Sequence, residues 1–144
     1  MATLGDYSTA LTMIASGYKN VSSNRDGIEG ERNFQGFLMA YLNLTPLYLT
    51  VSEAELSHGY CDILLLPDKK NFPAIRHSYI IELKYLKASD SEEEARKQWE
   101  EGVEQVCNYA ASRNVAVLSQ GTEVHLIVMQ MKSYKLLRLE DVLH

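Results

Sequence analysis

Two acids and a lysine stand where buried strands ordinarily carry apolar side chains. Asp62 lies in Gly59-Tyr60-Cys61-Asp62-Ile63-Leu64-Leu65-Leu66-Pro67, and Glu82 and Lys84 lie in Ser78-Tyr79-Ile80-Ile81-Glu82-Leu83-Lys84-Tyr85-Leu86. Burying a lone carboxylate costs several kcal/mol, so such groups are paired, hydrogen-bonded or bound to a cation. Carboxylates are hard oxygen ligands of the kind that Mg2+ and Mn2+ prefer. Alternate side chains of a strand share a face, which puts the Lys84 ammonium ~6–7 Å along from Glu82. There it can orient or deprotonate a water beside a cation, or stabilise charge on a phosphate. Cation, positioned water and lysine together suit phosphodiester hydrolysis.

The elements that must position these groups are legible around them. Both stretches are apolar, rich in branched and aromatic residues, and bounded by Gly, Pro, Asp and Asn, as buried strands are. Period two places Ile80, Glu82, Lys84 and Leu86 on one face and Tyr79, Ile81, Leu83 and Tyr85 on the other, while Asp62 shares a face with Tyr60, Leu64 and Leu66. Leu47, Leu49 and Val51 alternate with Tyr48, Thr50 and Ser52, giving an earlier strand to about Leu56 that turns at Ser57-His58-Gly59. A polar turn at Pro67–Asn71 then completes a three-stranded meander.

Upstream, Leu4, Tyr7, Leu11 and Ile14 predict a helix over 4–16 stopped by Gly17, and 19–30 reads as a loop. Phe34, Phe37, Leu38, Tyr41 and Leu42 predict a helix from about Gly27 or Glu29 to Asn43, before Pro46. One turn back on that stripe lies Glu31, either a first-turn acid favoured by the helix dipole or a group directed at the strand edges. Downstream, Ser91 and Glu94 form a capping box, with Glu92–Arg96 and Glu93–Lys97 as supporting pairs. That helix runs to about Ser112, its inner stripe Ala95, Trp99, Val103, Val106 and Ala110, flanked by Gln105 and Tyr109. Asn114–Gln120 fits a short helix or a strand; Glu123–Met131 and Tyr134–Leu139 read as paired strands. The order predicts an α/β fold with a mixed sheet flanked by helices.

A chain of 144 residues, 46% hydrophobic and 23% charged, suits one soluble domain over 1–144, with the 4–16 helix peripheral to a core at about 27–140. Neither a membrane-spanning run nor a secretory leader is read, so a cytoplasmic protein with no membrane partner is expected. Cys61 and Cys107 lack metal-ligand spacing and read as buried, reduced thiols. His58 and His77 read as solvated or locally hydrogen-bonded. A net charge of −5 argues against strong binding to nucleic acid, although carboxylates count as negative until a cation arrives. Arg25, Arg32, Lys87, Arg96, Lys97 and Arg113 form no run but can rim a cleft.

Asp62, then Glu82-Leu83-Lys84, with Glu31 on a preceding helix, resembles the PD-(D/E)xK nuclease superfamily. Gln105-Val106-Cys107-Asn108-Tyr109 is similar to the Gln-x-x-x-Tyr motif of its RecB-like branch. The segments around Gly30–Phe34, Gly59–Pro67 and Tyr79–Lys84 look closest to the nuclease-like C-terminal domain of AAA-ATPase-like proteins of gut Bacteroides-type bacteria. This resemblance covers roughly Glu29 to Leu139 and departs at Cys61, where the motif has a proline without a chemical duty. It implies a restriction-endonuclease-like core in which Asp62, Glu82 and the Leu83 backbone carbonyl bind Mg2+ or Mn2+. Glu31 contributes through water or a second metal, and Lys84 acts at the water. Gln105 and Tyr109 are implied to contact nucleic acid or steady the ligands.

The expected function is therefore a divalent-metal-dependent nuclease acting on phosphodiesters, in DNA before RNA. Two alternatives stay open: a nucleic-acid-binding module that no longer cuts, and an interaction domain of a larger ATPase-linked assembly. The partners on these readings are nucleic acid and an ATPase module or partner protein, with a homodimer also open. Taken from the residues alone, Glu82 and Lys84 can equally be an exposed pair worth ~0–1 kcal/mol, and Gln105 and Tyr109 a surface amide and a core-edge aromatic. On the nuclease reading, Asp62→Asn and Lys84→Ala abolish cleavage and leave the thermal midpoint nearly unchanged.

Overall fold

The computed structural model describes the backbone of residues 1, 5–22, 31–44, 47–56 and 59–144, with side chains there except at 21–22, 31–32, 51–56, 59–61, 114 and 118. Expectations for Leu4, Arg25, Gly27, Glu29, Gly30, Pro46, Ser57 and His58 lie outside the described residues. Those for the side chains of Glu31, Arg32, Tyr60 and Cys61 do too.

Three strands follow two helices: α1 (Tyr7–Ser22), α2 (Glu31–Leu42), β1 (Tyr48–Leu56), β2 (Gly59–Pro67) and β3 (His77–Leu86). After them come α3 (Glu92–Ala110), α4 (Arg113–Leu118), β4 (Glu123–Lys132) and β5 (Lys135–Asp141). The strands form one sheet in sequence order, β1-β2-β3-β4-β5. Pairings β1–β2, β2–β3 and β4–β5 are antiparallel, whereas β3–β4 is parallel. A parallel pair needs a long crossover, and α3 with α4 supplies it. The result is the expected α/β fold: a mixed sheet with the predicted meander.

Strand parity divides the core. Ile63, Leu65, Tyr79, Ile81, Leu83, Ile127, Met129 and Met131 face α1 and α2. Leu64, Ile80, Leu126 and Val128 face Trp99, Val106 and Tyr109 of α3 and Val115 of α4. The central strands are covered on both faces, which is why they read as near-continuous apolar runs.

Several boundaries differ from the sequence reading. Helix α1 continues through Gly17 to Ser22, and Gly17 lies beside Phe37, where an added Cβ would be 3.7 Å from Cζ, an ordinary contact. Far from peripheral, α1 buries Leu11, Ala15 and Tyr18 in the main core. Tyr41, expected on the inner stripe of α2, is 46% exposed at the edge of an aromatic group with Phe37. The ambiguous 114–120 segment forms α4, since Val115 can bury against α3 while Val117 faces outward. At the start of α3 the capping box is present. Arg96, however, pairs with Glu93 three residues before it and Glu100 four residues after it rather than with Glu92. Cys107 is exposed, because it sits on the solvent side of α3 between buried Val106 and Tyr109. No helix among the described residues is long and apolar enough to cross a membrane.

Candidate active site

The β2–β3 ladder pairs Leu65 with Tyr79, Leu64 with Ile80 and Ile63 with Ile81. One step further along this register, Asp62 comes beside Glu82. Here a side chain replaces the ladder: the Leu83 backbone N–H donates to Oδ2 of Asp62 at 2.8 Å. The N–H and C=O of one strand residue point to the same edge, so the Leu83 carbonyl faces the Asp62 side as well. From α2, Gln35 Nε2 donates to the Asp62 carbonyl at 3.1 Å and ties that helix to β2 at this point.

Glu82 is 4% exposed on the face of β3 that α3 covers. Lys84, on the same face, donates through Nζ to Gln105 Oε1 at 2.5 Å and sits 3.4 Å from Glu82 Oε1. Side-chain exposures of 5% for Glu82 and 16% for Lys84 decide between the two readings of this pair. It is a largely buried ion pair, not a solvated surface one. A buried carboxylate is expensive without such a partner, and Lys84 is the partner.

Helix α3 is shaped to receive the lysine. Gly102, one turn before Gln105, is buried, and a Cβ there would lie 3.3 Å from Cγ and Cε of Lys84 and 3.1 Å from Cγ1 of Val128. Leaving out that one carbon lets the lysine stem lie against the helix while its head reaches Gln105. Tyr109, one turn beyond Gln105, is 5% exposed and packs with Leu64, Ile80 and Val106. Thus Asp62, Glu82, Leu83, Lys84 and Gln105 meet between β2, β3 and α3, and Tyr109 lies in the core layer next to them. Glu31 is the first residue of α2, one turn ahead of Gln35, and its side chain lies outside the described residues.

The basic residues fall differently from the sequence expectation. Glu93 and Glu100 hold the Arg96 guanidinium, and their hydrogen bonds and charge raise its pKa further above its ordinary value. In return, the hydrogen bond from Arg96 holds Glu93 below the usual carboxylate range. Lys97 shares a groove with three acids, Asp90, Glu94 and Glu101. By contrast Lys19, Lys132 and Lys135 line a cavity of about 380 Å³ with Tyr134 and Ser133, beside the ends of β3 and β4. Lys19 is far in sequence from the Lys132–Lys135 hairpin, and the pairing of Leu86 with Lys132 shows how close to the Lys84 strand that hairpin comes.

Sequence reasoning also missed Gln35 and Gly102. Gly102 had a signal: a glycine in the middle of a helix costs ~1 kcal/mol against alanine, so its place on the inner face needed a packing reason. Gln35 had none, since a glutamine on a polar helix flank is unremarkable in type.

A family model described as the PD-(D/E)XK nuclease superfamily matches residues 29–141. No curated protein and no solved structure matches the chain.

Proposed function

The chain belongs to the PD-(D/E)XK nuclease superfamily and has a restriction-endonuclease-like fold, and from that premise we propose that it is a divalent-metal-dependent nuclease hydrolysing phosphodiester bonds, in DNA before RNA. One observation carries the reading: Glu82, Lys84 and Gln105 are linked beside the carboxylate of Asp62, at a point where the strand ladder gives way to a side chain.

The donor set fits Mg2+ or Mn2+. Two carboxylates and the Leu83 carbonyl are all hard oxygens, and Glu82 is buried at a cost that a dication offsets further. Asp62, Glu82 and the Leu83 carbonyl would hold the ion, with Glu31 reaching it directly or through water. When bound, the ion supplies a Lewis acid that lowers the pKa of water and neutralises phosphate charge.

The chain's own groups do the rest. Asp62 is fixed by the Leu83 N–H, which sets the direction of its carboxylate. Lys84 has three donors; it donates one to Gln105 and lies 3.4 Å from Glu82 as its ion-pair partner. An N–H not held by Gln105 is then offered to the attacking water or a phosphate oxygen, and Gln105 keeps the ammonium in place. Of the two roles expected of Tyr109, its burial supports steadying the Lys84–Gln105 wall over contacting substrate. Lys19, Lys132 and Lys135 offer the substrate backbone a positive surface that the net charge of −5 conceals.

The Gln105–Tyr109 pair, with Gln105 on the catalytic lysine, supports placing the chain in the RecB-like branch, near the nuclease-like domains of Bacteroides-type ATPase-like proteins. An ATPase module is then its natural partner. Incubating supercoiled, linear duplex and single-stranded DNA with Mg2+ or Mn2+ tests the activity. Wild-type protein should cut at least one of them, and Asp62→Asn and Lys84→Met should cut none. Equal cutting by all three proteins would remove Asp62 and Lys84 from the site.

A further inference from the structure

On the opposite face of the sheet and ~16 Å along β3 from Glu82, a second cluster of ligating side chains has no part in the chemistry above. His77 and Glu123 are partners at the start of the β3–β4 ladder, and Tyr79 and His125 are partners two residues on. Asp141, at the end of β5, is paired with Ile127 and reaches the same place. The ligand atoms of His77, Glu123 and His125 all lie within 4.8 Å of one another, as do those of His125, Asp141 and His144. We propose that this cluster is a Zn2+ site, with His77, Glu123 and His125 as its preformed ligands, His144 as the fourth that closes on the ion, and Asp141 as the group that orients His125.

Donor type selects the metal. Three imidazoles and one carboxylate suit Zn2+ and related transition ions, and are a poor match for Mg2+, which takes oxygen. The atoms are also near the required spacing. His77 Nδ1 is 2.7 Å from His125 Nε2 and 3.7 Å from Glu123 Oε2, and His144 Nε2 is 3.2 Å from Glu123 Oε1. Two bonds of ~2.0–2.1 Å at a tetrahedral angle separate their donors by ~3.3 Å. The His77–Glu123 spacing is close to that value, the two imidazoles need to part by about 0.6 Å, and His144 stands against the other oxygen of Glu123.

Asp141 completes the arrangement found behind metal-bound histidines. Its Oδ2 takes the Nδ1–H of His125 at 2.6 Å, which leaves the Nε2 lone pair of His125 facing His77. Its Oδ1 accepts the backbone N–H groups of Leu126, Leu143 and His144, and so turns the chain after β5 to bring His144 in. The ring of Tyr79 stacks on His125 with centroids 4.8 Å apart. Gly5, at φ +70, closes over the His77 ring, where a Cβ would come within 2.9 Å of Cε1. Among the described residues, every ion-pair partner of Glu123 and of Asp141 is an imidazole, so neither acid has a lysine or arginine to balance it. Zn2+ supplies that charge and joins the ends of three strands.

Calorimetric titration of Zn2+ into metal-free protein, in excess Mg2+ to occupy the carboxylate site, tests the assignment. Wild type and Asp62→Asn should each bind one Zn2+ with a rise in thermal midpoint, and Co2+ in its place should give the visible bands of four-coordinate cobalt. Asp141→Asn should bind about 10–100-fold more weakly, and His77→Gln with His125→Gln should bind none. Should the buried His125 variant fail to fold, Glu123→Gln and His144→Gln, both at exposed side chains, must each weaken binding. Zn2+ binding that is absent from wild type, unchanged in Glu123→Gln and His144→Gln, or lost in Asp62→Asn overturns the proposal.

Discussion

Lys84 and Glu82 form a largely buried ion pair, with Nζ 3.4 Å from Oε1 on the face of β3 that α3 covers. Their relationship alters what a lysine variant should do. Viewed as a free-standing catalytic group, Lys84 can be removed at little cost to stability. In the structure its removal breaks a largely buried ion pair, a change costing about 3 kcal/mol when one partner is lost.

Lys84→Met should therefore abolish cleavage and also lower the thermal midpoint of the metal-free protein by several degrees. Added Mn2+ should restore much of that loss, because a dication at Asp62 and Glu82 replaces the missing charge. Thermal melts with and without Mn2+ decide this. A midpoint that neither falls on mutation nor responds to Mn2+ contradicts the pairing.

Gly102→Ala separates positioning from stability. Alanine favours the helix by ~1 kcal/mol over glycine. Yet its Cβ must displace the Lys84 stem and Val128 Cγ1 by a few tenths of an ångström. The expected outcome is a melting temperature within a few degrees of wild type and a cleavage rate reduced about 10-fold, since small misplacements at a reacting centre are costly. Full activity in Gly102→Ala would mean that the position of Lys84 against α3 is immaterial.

Much of this architecture was legible in the sequence because apolar alternation and periodicity were strong where the core is thickest. The Asp62 and Glu82 strands, the meander, α3 and its capping box all follow from period two, period 3.6 and cap chemistry. The meeting of Asp62 with the Leu83 N–H was not legible, since it depends on where a ladder ends. Nor was the histidine cluster: His77 was read as solvated or locally bonded, but its partner His125 lies 48 residues away and becomes a neighbour only through the parallel β3–β4 register. Likewise Gly17 read as a helix stop, whereas α1 passes through it while burying Leu11, Ala15 and Tyr18 in the core.

Two tyrosines give the fold an alkaline limit. Tyr48 donates to the His77 carbonyl at 2.7 Å and Tyr79 to the Met1 carbonyl at 2.7 Å, with their rings packed edge to face. Burial raises both phenol pKa values above the ordinary 10.0, and for Tyr79 the nearby Tyr48 and acids add to the effect. A raised folded value means that the stabilisation is fully present below the unfolded pKa near 10 and is lost as pH climbs toward the folded value. Urea midpoints should fall as pH rises above about 10, and the fall should be shallower in Tyr48→Phe and Tyr79→Phe. An identical slope in wild type and both variants would assign the alkaline loss elsewhere.

On the proposed function, Asp62 and Glu82 hold a divalent cation with the Lys84 ammonium beside it. Calorimetric titration of Mn2+ into wild type and Asp62→Asn tests it most directly, because it needs no knowledge of the substrate. Asparagine retains an acceptor for the Leu83 N–H, so the variant should stay folded while losing the ligand charge. Wild type should bind Mn2+ saturably, and Asp62→Asn should lose that binding. Equal binding by the two proteins, or none by wild type at millimolar Mn2+ with a short DNA present, would contradict it.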